Sequence, residues 1–270
     1  MKTMKRLALF PVVLALFSGG FSPAAEPDHP SKGARRIVFL GDSITYAGGY
    51  IEYLEAYMKA AHPGMTTEFL DIGLPSETVS GLSEPGHAGG SFPRPDLHER
   101  LDRVLAKAKP DMVVVCYGMN DGIYYPFSEE RFKTFRDGMT SVHDRIVATG
   151  ARVLHLTPPV FDPTPIKAKT LPAGLDEYRS PYVGYDDVLA RYAQWLLAQS
   201  KEAKWDVIDI HEPIKAHLAK ERTRDPAYIV AGDGVHINQA GHWLIAKTIL
   251  RHWEPAAKAV LDAENGDQAI

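Results

Sequence analysis

The run Met112-Val113-Val114-Val115-Cys116 restricts this chain more than any other feature. Five apolar residues follow one another without polar alternation, and Tyr117-Gly118-Met119-Asn120-Asp121 ends the run. A strand with one wet face alternates. A continuous β-branched run must be covered on both faces, as in the middle of a parallel sheet. The pattern recurs where Ile37-Val38-Phe39-Leu40 breaks into Gly41-Asp42-Ser43, and further strands are expected at 67–70, 152–156 and 207–210. Between them, apolar residues at helical spacing predict helices at 50–61, from Leu97 to just before Pro110, and at 128–149, 183–200, about 213–220 and 239–253. Strands alternating with helices predict an α/β chain, a three-layer αβα sandwich with right-handed crossovers. In such sheets ligands sit beyond the carboxyl ends of the strands, where the polar clusters of this chain fall.

The first 25 residues read as a separate segment. Lys2, Lys5 and Arg6 precede the apolar run 7–17, and Ser22-Pro23-Ala24-Ala25 follows, the layout of a cleavable secretory signal. The apolar run contains Pro11 and is short for a bilayer span. The expected organisation is a signal peptide at 1–25, one catalytic-size domain at 33–254 and a polar, Ala-rich tail at 255–270, with the product exported to a secreted or periplasmic location and not stably inserted in a membrane. Removing three basic residues with the leader takes the formal net charge from −4 to −7, which disfavours nucleic acid as a partner. The single cysteine, Cys116, lies inside an apolar strand and reads as a small buried hydrophobe.

Four polar groups then fall at one edge of the expected sheet. Ser43 offers a hydroxyl, Asn120 an amide side chain, Gly73 a backbone N–H open to close approach, and Asp233 and His236 a carboxylate and an imidazole three residues apart. Each has a plainer reading: Asp42-Ser43 and Asn120-Asp121 are ordinary turn residues, Gly73 a hinge, and His236 a residue packed beside the last helix. Taken in order, the blocks Gly-Asp-Ser, the later Gly73, Gly-Met-Asn-Asp and Asp-Gly-Val-His resemble those of the SGNH hydrolases, the group that contains the GDSL esterases and lipases. The resemblance covers about residues 37–253.

That resemblance implies a flavodoxin-like sheet of order 2-1-3-4-5. It implies Ser43 as nucleophile, His236 as general base and Asp233 as the residue orienting that base. The implied oxyanion hole is the Ser43 N–H, the Gly73 N–H and the Asn120 side chain. One departure is visible: Asp71 stands where the family often has Asn, two residues before its Gly, which puts the local hydrogen bonding of that loop, though not the Gly73 donor, in question. The other histidines show no metal-ligand spacing and no glycine loop resembles a nucleotide cradle, so no cofactor and no metal are expected.

Two Gly/Pro-rich loops, 74–96 and 157–182, carry charge and isolated aromatics without a contiguous aliphatic surface. Asp42, Tyr124 and Tyr125 are the expected substrate-contacting residues. Arg94 and Arg179 read either as contacts for an acidic substrate or as solvated charges. Within the serine esterase that the resemblance implies, the composition of these loops favours short-chain, acetyl-type substrates, acylated carbohydrate or another small ester. A lipase, phospholipase or thioesterase of the same fold, and a catalytically silent carbohydrate-binding protein, are the alternatives.

Overall fold

The computed structural model describes residues 33–262. The expected signal peptide at 1–25 and the last residues of the tail, 263–270, lie outside the described residues. The sheet has five parallel strands, β1 (Arg36–Gly41), β2 (Glu68–Asp71), β3 (Met112–Cys116), β4 (Arg152–Leu156) and β5 (Asp206–Ile208), in the order β2-β1-β3-β4-β5. All five residues of β3 are buried and only Arg36 of β1 is not, the burial that their unbroken apolar runs demand. The edge strand β2 is exposed or half-exposed throughout, and Glu68 and Asp71 are tolerated there for that reason.

The helices are α1 (Ser43–Tyr46), α2 (Gly49–Ala61), α3 (Leu101–Ala108), α4 (Glu129–Val147), α5 (Tyr185–Glu202), α6 (His211–Glu221), α7 (Gln239–Trp253) and α8 (Lys258–Asp262). Packing of α2 on α7 and of α7 on α6 and α8 forms one helical layer, while α3 packs on α4. Ser128 caps α4 by accepting from the Arg131 N–H at 3.3 Å. Among the described residues no helix is long and apolar enough to cross a membrane.

Two expectations change. The turn after β1 is itself helical: α1 begins at Ser43, ahead of the helix expected from residue 50. Four residues are too few to leave an apolar period in the sequence. The domain also does not stop at 254. Residues 255–257 form a 3-10 turn, Leu261 on α8 is buried in the main core, and Arg251 is ion-paired to Asp262.

Strand register sets which loops meet. Gly41 pairs with Cys116, so the loops leaving β1 and β3 emerge side by side and carry Ser43 and Asn120 to one edge.

Candidate active site

Ser43 is the first residue of α1. Asp42 caps it, its Oδ1 accepting from the Ile44 N–H at 2.9 Å. Gly41 is required for this turn, because a Cβ there would lie 2.0 Å from Thr45 Oγ1 and 2.9 Å from the Cys116 carbonyl oxygen. Asp42 is 3 % exposed, and burial, only partly offset by the Ile44 bond, pushes its carboxyl up to about 7. It has no open face toward a substrate and acts from behind the turn, not as the substrate contact expected from the sequence.

His236 is delivered by the loop before α7. Asp233 Oδ1 accepts from the N–H groups of Val235 (3.0 Å) and His236 (2.8 Å), a turn that folds the imidazole back onto the second carboxylate oxygen. The loop is tied down elsewhere: the Asp162 N–H donates to the Gly234 carbonyl at 2.9 Å, and Arg222 holds the Asp162 carboxylate at 2.5 Å. His236 Nδ1 lies 2.6 Å from Asp233 Oδ2, and its Nε2 lies 2.9 Å from Ser43 Oγ. Burial alone would raise the Asp233 carboxyl, but the bonds from the His236 side chain and the two backbone N–H groups hold it below its ordinary value. Both side chains are more than half exposed, so the site is open to solvent and not the floor of a tunnel.

Asn120 is 4 % exposed at the end of β3. Its Nδ2 donates to the Glu77 carbonyl at 3.2 Å, while its Oδ1 accepts from Arg94 Nη1 at 3.0 Å and from the Tyr124 hydroxyl at 3.1 Å. Asp121 joins the loops: its Oδ1 accepts from the N–H groups of Val79 and Ser80, both at 2.9 Å, and burial raises its carboxyl to about 6. Glu77 is fully buried, and Arg100 and the Tyr117 hydroxyl hold its carboxylate.

Gly73 departs from expectation. Its N–H donates to Asp71 Oδ1 at 2.8 Å and is therefore not a free donor. Its missing Cβ serves packing, since a Cβ would stand 2.3 Å from the Tyr46 backbone nitrogen. The Asp71 departure thus bears on the donor itself. Three residues on, Ser76 adopts φ 66°, a left-handed conformation that costs a non-glycine residue of order 1 kcal/mol. Among the described residues no acceptor takes the Ser76 N–H, and the next residue is the Glu77 whose carbonyl receives Asn120. Sequence reading passes over Ser76 because serine does not announce a positive φ.

Tyr124 is less a free contact than an anchor. Its hydroxyl is engaged by Asn120 and its ring packs on Tyr185, centroids 4.9 Å apart. Tyr125 lines a cleft of about 480 Å³ between the two long loops, with Glu84, Tyr178 and Arg179. Arg94, read from sequence as substrate-facing or solvated, is neither, being 8 % exposed and bonded to Glu84. Of the remaining histidines, His155 is a core residue: it is fully buried, stacks on Trp205 and shares a 2.9 Å hydrogen bond with the half-buried His143, and burial lowers it to about 3. Among the described residues no group of three His, Cys, Asp or Glu could hold a metal ion.

Residues 39–244 match the model of the GDSL-like lipase/acylhydrolase family. The chain belongs to that family. As a GDSL-like acylhydrolase with the sheet order 2-1-3-4-5, it is an SGNH-type carboxylic ester hydrolase. A search of curated protein sequences gives no match. Solved structures match the fold of this family member. One described as "BT4096 a gut microbial diltiazem-metabolizing enzyme" aligns with TM-score 0.66 and 19 % identity over 85 % of this chain, which spans about half (49 %) of that chain. Axe2, an acetylxylan esterase from Geobacillus stearothermophilus, aligns with TM-score 0.59 and 19 % identity, covering 82 % of this chain and 94 % of its own.

Proposed function

We propose that the protein is an exported serine esterase that removes short acyl groups, acetyl foremost, from carbohydrate. The observation that carries the mechanism is the continuous chain Asp233 Oδ2, His236 Nδ1, His236 Nε2, Ser43 Oγ, with steps of 2.6 and 2.9 Å. In this reading His236 Nε2 takes the hydroxyl proton as Ser43 Oγ attacks the ester carbonyl, and Asp233 fixes the tautomer and stabilises the imidazolium. The developing oxyanion accepts from the Asn120 side chain, the Ser43 N–H at the start of α1 and the Ser76 N–H, which takes the part expected of Gly73. Collapse breaks the bond to the alcohol oxygen, which leaves with the proton carried by His236. Water activated by His236 then attacks the acyl-serine, releasing the carboxylic acid and restoring the Ser43 hydroxyl.

A polar alcohol is favoured by the openness of the Asp233–His236 pair and by the neighbouring cleft, whose lining mixes Tyr125 and Tyr178 with Glu84, Glu177 and Arg179. A lipase would offer a contiguous apolar channel, and longer acyl chains would gain about 0.8 kcal/mol for each buried methylene. The fold shared with Axe2, itself an acetylxylan esterase, agrees with this choice of substrate class. The test is turnover of a chromogenic ester series together with acetate release from acetylated xylan and other acetylated glycans. Acetyl esters should be preferred to butyryl, with octanoyl hardly turned over. Ser43→Ala and His236→Ala should each reduce turnover by at least about 10⁴-fold in folded protein. A kcat/KM climbing from acetate to octanoate, with no acetate released from any glycan, overturns the carbohydrate reading in favour of a lipase.

A further inference from the structure

Arg94 lies in the loop 74–96 and is, among the described residues, the one cation whose guanidinium touches Asn120. Nη1 donates to Asn120 Oδ1 at 3.0 Å, while Nε and Nη2 hold the two oxygens of Glu84 at 2.7 Å each. The same guanidinium lies over the Tyr124 ring, 5.4 Å from its centroid, and the Tyr124 hydroxyl reaches the same Asn120 oxygen. Tyr124 and its neighbour Ile123 both adopt positive φ, at 59° and 48°, so the backbone bears strain to bring that hydroxyl into place.

A carboxamide can present either its oxygen or its NH₂ to a ligand, and which one it presents is set by its partners. Arginine has only donors, and burial keeps the tyrosine hydroxyl protonated, so both groups demand the amide oxygen. A flipped Asn120 would set NH₂ against a buried guanidinium and aim its oxygen at the position of a developing negative charge. With the oxygen held, Nδ2 keeps one proton on the Glu77 carbonyl and has the second to give. We infer that Arg94 is a positioning residue for ester hydrolysis: backed by Glu84 and helped by Tyr124, it locks the Asn120 amide in the orientation that donates to the oxyanion and polarises it for that bond. The inference rests on the Asn120 role proposed above. Three buried carboxylates, Asp42, Glu77 and Asp121, surround this end of the site, and Glu77 is already paired with Arg100. Arg94, itself paired with Glu84, is the guanidinium that reaches the Asn120 oxygen.

The experiment is a double-mutant cycle read by kcat and KM, with an independent spectroscopic signature. Arg94→Met is made together with Glu84→Gln, so that no buried carboxylate is orphaned. The pair should lower kcat about 10²-fold, near the loss of one oxyanion donor, with KM changed by less than about threefold. Arg94→Lys, which keeps a charged donor, should recover part of the loss. In an Asn120→Ala background the same Arg94/Glu84 pair should cost less than about threefold further, because a residue acting through Asn120 has nothing left to act on. An equal cost in both backgrounds overturns the inference in favour of a general structural role.

The side-chain amide resonances of Asn120, assigned by their loss in Asn120→Ala, should shift or broaden in the Arg94/Glu84 pair and persist in Arg94→Lys. Unchanged resonances overturn the inference whatever the kinetics. If the wild-type protein turns over no ester while those resonances respond to Arg94, the esterase reading fails and the locking of Asn120 stands.

Discussion

Asp42→Asn tests whether the carboxyl behind Ser43 is buried at a cost. Asp42 is 3 % exposed and its carboxyl is raised from 3.8 to about 7, chiefly by burial. Between those values the folded protein holds a proton that the unfolded chain has released. Stability must therefore fall as pH rises across that window and level off above about 7. A shift of roughly three units at 1.36 kcal/mol each puts the cost of the buried anion at about 4 kcal/mol above pH 7. Asparagine removes the charge and keeps an oxygen that can accept from the Ile44 N–H, so the cap survives. The measurement is urea unfolding of wild type and Asp42→Asn from pH 4.5 to 8.5. The stability gained by the variant should grow through the window by up to about 4 kcal/mol, equivalent to roughly 8–16 °C in Tm for a domain of this size. The difference between the two proteins is the proper observable, because Asp186 and Asp233, both held below the ordinary value, give the wild-type curve a contribution of opposite sign. A difference that does not vary with pH would refute the argument.

Asn120→Ala should lower kcat by about 10²–10³-fold with little change in KM, checked by steady-state kinetics on an acetate ester. Gly73→Ala should lose activity through misfolding of the turn and not through a lost donor, since its Cβ would stand 2.3 Å from the Tyr46 nitrogen; circular dichroism and Tm should change along with turnover. Ser76→Gly should retain turnover, because the donor proposed there is a backbone N–H, and should leave stability equal or higher by up to about 1 kcal/mol in urea unfolding. Prolonged dialysis against a chelator should leave kcat unchanged, and activity restored only by a divalent ion would argue for a metallohydrolase instead.

The parts of the fold legible in the sequence are those where burial leaves one solution. Strands β1 and β3 are covered on both faces, so their composition alone places them in the sheet, and their shared register brings Ser43 and Asn120 to one edge. Helix α1 was not legible, because its four residues contain no full period. Short β5 was displaced by a residue or two for a related reason: Asp206 is acceptable at a sheet edge, where the residues have only one packed neighbour strand. Asp233 and His236 were legible because they are three apart, and one turn suffices to join them.

Loop 74–96 resisted reading because its order comes from residues distant in the chain. Asp121 pins its backbone at 79–80, and Arg94 runs from Glu84 to Asn120, 26 residues away. An arginine in a Gly- and Pro-rich stretch looks solvated; only the assembled loop supplies the carboxylate and aromatic ring that offset the cost of burying it. Gly73 misled for the converse reason. Its lack of a Cβ is a local property visible in the sequence, but whether the space is used by a ligand or by backbone depends on where α1 packs, and the Tyr46 backbone takes it. Ser43 and His236 are thus held by short-range turns on a rigid sheet, whereas Asn120 and Ser76, the oxyanion donors proposed above, depend on a long loop fastened by buried charge. Substitutions at the loop's anchors, Glu84, Arg94 and Asp121, should accordingly act on transition-state stabilisation before they disturb the Ser43–His236–Asp233 geometry.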